Sequence, residues 1–195
     1  MRNFILFADL LSTWVGKAFA WCIVVLCFGT VYEVVMAYIF RAPTLWNFDF
    51  SLQMYGALFI MCGAYAISTE AHIRGDVIYR LLSVKKQATL DLILYIIFFM
   101  PGVCALAFAG IDYAGNAWKA GETSWNSPAK IQIYMIKSLI PATGFLLIIQ
   151  GLSEMCRCMI AINENHWPQR EVIDAEETEK LLMRTSHEEF EEKKI

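Results

Sequence analysis

The sequence predicts an all-α, polytopic membrane protein with four transmembrane helices, an N-terminal amphipathic segment and a polar cytoplasmic tail. Of its 195 residues, 57% are hydrophobic and 18% are charged, and the mean hydropathy is +0.46. Soluble domains are nearer half apolar, with about a quarter of their residues charged. Much of the charge follows Asn163, which leaves the earlier part more apolar still. We therefore expect a membrane domain over residues 1–162 and an acidic cytoplasmic tail over residues 163–195.

Four apolar segments are long enough to cross about 30 Å of hydrocarbon as helices. Pro43 ends the first of them, and Trp46 behind it suits an anchor at headgroup level. Pro101 and Gly102 predict a kink in the middle of the third. We expect the spans at about residues 17–40, 51–69, 90–111 and 136–155.

Within residues 3–16, apolar and polar side chains alternate at helical spacing. The apolar set is Phe4, Phe7, Leu11, Trp14 and Ala18, with Ala18 just beyond the segment. The other side mostly carries Asp9, Ser12, Thr13 and Lys17. This pattern predicts an amphipathic helix lying at the membrane surface. A plain extension of the first span explains the pattern equally well.

The basic residues of the connections predict the orientation. The connection between the second and third spans carries Arg74, Arg80, Lys85 and Lys86, whereas the one between the first and second has only Arg41. Because cytoplasmic loops are enriched in Lys and Arg, the second connection is expected to be cytoplasmic. An even number of spans then places both termini in the cytoplasm.

Several function classes lack their signatures in this sequence. The net charge of −3 is dominated by the acidic tail, and no basic patch interleaved with aromatic residues suggests nucleic-acid binding. Phosphate-binding loops, nucleophile elbows and zinc-protease motifs are missing. None of the three histidines lies deep in a span, which argues against a haem-bearing anchor of a redox enzyme. We expect no enzymatic activity, no cofactor and no metal site.

Glu33 is the one acid inside the first span, about two turns from its outer end. Ionisable residues in a span are functional candidates, but an ion pair across the bundle explains them as well. We expect Glu33 to pair with Lys137 at the start of the fourth span. The alternative is a small stand-alone dimeric transporter coupled through Glu33, although no series of acids crosses the membrane.

Charged residues cluster directly after the second span, at His72, Arg74 and Asp76. By residue type they could form a site. Taken from the residues alone, a loop at headgroup level that caps the helix and meets lipid phosphates is the simpler interpretation.

Three stretches resemble the small permease subunits of TRAP (tripartite ATP-independent periplasmic) transporters. The first is the run from Tyr65 to Tyr79, YAISTEAHIRGDVIY. The second runs from Tyr32 to Asp49, YEVVMAYIFRAPTLWNFD, and the third is GETSWNSPAKIQIYMIKSLIPATGFLLIIQG from Gly121. The similarity covers nearly all of residues 20–160. The sequence departs from the pattern at Ala37, where such subunits often have an arginine.

The resemblance implies a multi-pass protein of the bacterial inner membrane that works with two partners. These are a large permease subunit, which carries the solute and sodium sites, and a periplasmic solute-binding protein that captures an organic acid or similar solute. The small subunit would act as a scaffold, surrounded elsewhere by membrane lipids. The residues expected at interfaces or in structural roles are Glu33, Arg41, Trp46, Asp49, His72, Arg74, Asp76, Glu122 and Lys137.

Overall fold

A computed structural model describes residues 1–69, 82–126 and 128–168. His72, Arg74 and Asp76, and all but the first six residues of the expected tail, lie outside the described residues. Four helices are long and apolar enough to cross a membrane: α1 (Arg2–Tyr38), α2 (Asn47–Ser68), α3 (Val84–Ala120) and α4 (Tyr134–Glu164). Where the structure is described, strand-like pairing is limited to one isolated bridge, between Thr123 and Gln132. The predicted all-α, four-span class is confirmed.

The four helices alternate in direction and give the bundle two ends. At the terminal end, α1 begins at Arg2, α2 ends at Ser68, α3 begins at Val84 and α4 ends at Glu164. The opposite loop end holds two connections, residues 39–46 and 121–133. The boundaries of the hydrocarbon layer along these helices stay a prediction.

Helix α1 is continuous through the expected amphipathic segment. Its 37 residues make it about 55 Å long, well beyond the roughly 30 Å of the hydrocarbon layer. The polar side of the segment faces the protein, because Asp9 and Ser12 are buried while Phe7 and Trp14 are exposed. The continuous helix therefore agrees with the second of the two interpretations, an extension of the first span. In a membrane protein the surroundings are apolar, so polar groups find their partners inside the bundle.

Helix α3 contains a local irregularity where a kink was expected. Residues Tyr95–Phe99 form a π-helical turn between the α-helical segments Val84–Leu94 and Met100–Ala120. Pro101 lies two residues after the end of this turn. Proline has no N–H, and its ring clashes with the carbonyl four residues earlier, so the wider turn relieves that clash. The helix ends at Gly121, whose left-handed backbone (φ +57°) is the usual conformation after a helix C-terminus.

Helix α4 is the centre of the bundle, packing against α1, α2 and α3, whereas α1 packs mainly along α2. A turn at Ser138 separates its first residues, Tyr134–Lys137, from the long segment Leu139–Glu164. Gly144 lies against the backbone of α3. A Cβ atom at this position would lie 2.7 Å from the Cα atom of Ala107. Small residues that let backbones approach are the usual basis of helix packing in membranes.

Candidate functional site

At the loop end, Glu33 holds the turn of the chain that follows α1. One carboxylate oxygen accepts a hydrogen bond from the backbone N–H of Thr44 at 3.0 Å, and the other accepts one from the Thr44 hydroxyl. Pro43 and the positive φ of Arg41 (+51°) turn the chain so that Thr44 returns to the last turns of α1. Glu33 is thus fixed by its own connection.

The expected pair between Glu33 and Lys137 was wrong. The Lys137 ammonium lies 2.5 Å from a carboxylate oxygen of Glu122 and 4.2 Å from the centroid of the Tyr113 ring. Glu122 directly follows the glycine that ends α3, and its carbonyl accepts a hydrogen bond from the N–H of Ile133. The connection from α3 to α4 is therefore tied to the first turn of α4. Lys137 pairs with Glu122 because the short connection between α3 and α4 brings these two side chains together. The sequence analysis had named Glu122 only through the resemblance.

Asp49 joins the start of α2 to the connection between α3 and α4. It is buried in the first turn of α2, where a negative charge is favoured by the helix dipole. Its carboxylate accepts a hydrogen bond of 2.6 Å from the hydroxyl of Ser124. The N–H of Ser124 donates to the carbonyl of Ile131 at 2.7 Å. The start of α2 thus holds the loop that follows α3.

Trp46 and Arg41 lie on the surface of this end. The Trp46 ring packs between Tyr32 and Phe50, with ring centroids 6.1 and 5.8 Å away, and its outer edge stays exposed. Arg41 is exposed, and no described acid forms an ion pair with it. The structure thus brings Glu33, Asp49, Glu122 and Lys137 to one end and leaves Arg41 at its rim.

A second polar layer lies at the terminal end, and the sequence analysis missed it. The Arg157 guanidinium bonds a carboxylate oxygen of Asp9, and its Nε atom lies 3.5 Å from Glu154. The side-chain amide of Gln150 donates to the other oxygen of Asp9 at 2.9 Å and accepts from the Ser12 hydroxyl at 2.8 Å. All five side chains are buried. This network fastens the N-terminal part of α1 to the last turns of α4.

A signal for the terminal layer is present in the sequence. Gln150, Ser153, Glu154 and Arg157 recur at intervals of three and four residues, which places them on one side of a helix. The sequence analysis did not single out Arg157, and it assigned Asp9 to the polar side of an amphipathic helix at the membrane surface. A polar stripe on an otherwise apolar helix predicts a partner stripe, and Asp9 with Ser12 provides it.

The two layers are separated by an uncharged interior. No Asp, Glu, Lys or Arg occurs in residues 18–32 of α1, 50–69 of α2, 92–111 of α3 or 138–153 of α4. Among the described residues, no three His, Cys, Asp or Glu side chains lie together as they would around a metal ion. The described arrangement is that of a packed bundle with polar fastenings at its ends.

The family model of tripartite ATP-independent periplasmic transporters, DctQ component, matches residues 26–160. The chain belongs to this family. It is thus a component of a TRAP transporter and a membrane protein of transport. No curated protein matches the chain. The loop-end layer lies wholly within the part that matches the DctQ component, whereas Asp9 and Ser12 precede it. The terminal layer therefore joins a segment outside the matched range to a helix within it.

Proposed function

We propose that this chain is the small permease subunit of a sodium-coupled TRAP transporter that imports an organic acid or similar solute. It pairs with the large permease subunit and with a periplasmic solute-binding protein, and it serves as a scaffold rather than as the solute site. The observation that carries this proposal is the DctQ match over residues 26–160. Membership in a transporter-component family also supports a non-enzymatic role.

The scaffold role is supported by the distribution of charge. The buried charged side chains of the described residues have their partners within the bundle at its two ends, and the interior between the ends is uncharged. Ion and proton pathways in membrane proteins are usually marked by ionisable residues within the spans. A bundle with polar fastenings and an apolar middle suits packing against a larger subunit.

The terminal end is proposed to face the cytoplasm. The sequence between the expected second and third spans carries four bases, whereas that between the first and second carries only Arg41, and the bias of Lys and Arg towards cytoplasmic connections supports this orientation. The loop end then faces the periplasm, where the binding protein would approach.

The loop end has a surface suited to a soluble partner. Trp125 is 94% exposed, and the neighbouring Ser124 fixes its loop through the hydrogen bond to Asp49. The bases Arg41 and Lys130 are exposed, whereas Glu33, Asp49 and Glu122 are bonded to groups within this end. Exposed tryptophans on fixed backbones are frequent anchors of protein interfaces. We propose that the binding protein meets this positive face through acidic residues and covers Trp125.

The first experiment isolates the tagged chain from native membranes in mild detergent and identifies the co-purifying proteins by mass. A large polytopic permease in near-equal amount is the expected result. The matched control is an unrelated tagged four-helix membrane protein from the same cells. A folded chain that is recovered alone, or only with itself, would refute the subunit role.

The second experiment measures how the solute-binding protein binds to the assembled transporter in nanodiscs. Trp125→Ala is expected to weaken that binding by about tenfold, as the loss of an interface anchor does. Asn126→Ala changes the next exposed side chain of the same loop and is the matched control. If the solute-binding protein bound both variants with equal affinity, Trp125 would not be part of its binding surface.

A further inference from the structure

The outward face of α1 carries its bulkiest side chains at a seven-residue spacing. Phe7, Trp14, Trp21 and Phe28 follow one another at this interval, and each is 59–76% exposed. A second row, three residues further along the chain, consists of Leu10, Lys17, Val24, Val31 and Tyr38. Two rows with this offset and a seven-residue repeat correspond to the a and d positions of a coiled-coil helix. We call the two rows together the α1 seam.

The surface between these side chains has the shape that coiled-coil packing requires. A cleft of about 260 Å³ is lined by Ile23, Val24, Cys27, Phe28 and Val31, all of them on α1. The last four of these residues stand at i, i+3, i+4 and i+7 and outline a diamond on the helix surface. In coiled coils a side chain of the facing helix enters such a hole, formed by four residues. The seam thus offers holes as well as knobs.

The position of α1 in the bundle leaves this face to something outside the chain. The most apolar 18-residue stretch of α1 has no buried residue, whereas those of α2, α3 and α4 are 22%, 11% and 44% buried. We propose that the α1 seam packs against a transmembrane helix of the large permease subunit. This inference rests on the proposed function.

Symmetry and charge argue against a second copy of the chain as the occupant. Two copies in the same membrane would be related by a two-fold axis and would set each row of the seam against itself. Lys17 would then face Lys17, and the aromatic layers would meet aromatic layers. Like charges in apposition are unfavourable, and facing layers pack best when large residues meet small ones.

A different chain avoids both conflicts. The expected partner helix presents small residues such as Gly, Ala or Ser every seventh residue. Because a straight helix drifts by about 20° per heptad, the partner is expected to cross α1 with a left-handed angle of about 20°.

The decisive test places a photo-crosslinking phenylalanine analogue at Phe28 in the complete transporter in membranes. The matched control is Phe108, which is exposed to a similar extent on α3 (66% against 73%). The expected result is an adduct with the large subunit from position 28 and none from position 108. A crosslink between two copies of this chain from position 28 would show that the large subunit is not the occupant. Adducts with lipid alone would show that the α1 seam does not pack against a protein helix. Equal yields of large-subunit adduct from both positions would also refute the seam.

A second measurement does not depend on crosslinking chemistry. Phe28→Ala is expected to lower recovery of the large subunit by about tenfold relative to Phe108→Ala. The thermal transition of each isolated variant shows that it is folded before the comparison is made. If the wild-type chain recovers no large permease, the proposed function fails. If it does, and Phe28→Ala recovers as much as Phe108→Ala, only the seam fails.

Discussion

Removing Arg157 is expected to be the most damaging single substitution at the terminal end. Its guanidinium bonds Asp9 and lies 3.5 Å from Glu154, and the side chains of Arg157 and Glu154 are only 4% and 3% exposed. Arg157→Met keeps a long apolar side chain but leaves two carboxylates close together without the guanidinium. Asp9 would retain only the 2.9 Å hydrogen bond from the amide of Gln150.

The size of the effect follows from this loss of charge balance. A single hydrogen bond between membrane helices contributes on average about 0.6 kcal/mol, whereas removing one partner of a buried ion pair costs about 3–5 kcal/mol. Because Arg157 lies against two acids, we expect Arg157→Met to lower the free energy of unfolding by about 3 kcal/mol or more. The assay is reversible unfolding in mixed micelles titrated with sodium dodecyl sulfate, followed by helical circular dichroism.

Two controls test the reasoning. Arg2 is 76% exposed in its pair with Glu164, so Arg2→Met is expected to cost less than about 1 kcal/mol. Asp9→Asn combined with Arg157→Met removes one of the stranded charges, and this double variant is expected to lose at least about 1 kcal/mol less than the sum of the single variants. An additive double variant, or an Arg157→Met loss no greater than that of Arg2→Met, would refute the network.

Two further substitutions test the packing and the loop end by the same titration. Gly144→Ala brings a Cβ atom within 2.7 Å of the Cα of Ala107 and is expected to cost about 1–3 kcal/mol. Gly115→Ala, with no atom within 4 Å, is the matched control, and equal stabilities would contradict the close approach. Lys137→Ala leaves Glu122, 31% exposed, without its cation and is expected to cost about 1–2 kcal/mol, since water reaches the carboxylate. A loss of more than about 4 kcal/mol in the free energy of unfolding would contradict the expectation that water solvates the Glu122 carboxylate.

The number and class of the helices could be predicted because hydropathy and length depend on the chain alone. A run such as residues 92–111 can satisfy its backbone in lipid only as a helix. The wider turn at Tyr95–Phe99 was indicated by Pro101, although its form was not. Such features are local, so a single sequence contains them.

The partners of the polar residues could not be predicted in the same way. Glu33 and Lys137 were matched by sign and depth, yet each is held by its own connection, through Thr44 and Glu122. Which groups meet depends on how the loops fold back, and this is decided by packing across many residues. The buried Asp9 was missed because polarity was taken to mean exposure, which holds in water and reverses in lipid.

The bond between Asp9 and Arg157 also has a consequence for biogenesis. The two residues are 148 positions apart, and translation adds about 5–20 residues per second. For roughly 7–30 s, the nascent first helix therefore carries an acid whose arginine has not yet been made. Asp9 gains this partner only when the last helix has been made. In a chain that ends before α4, Asp9 would have no arginine partner, and membrane proteases could recognise this unpaired acid as a sign of incomplete synthesis.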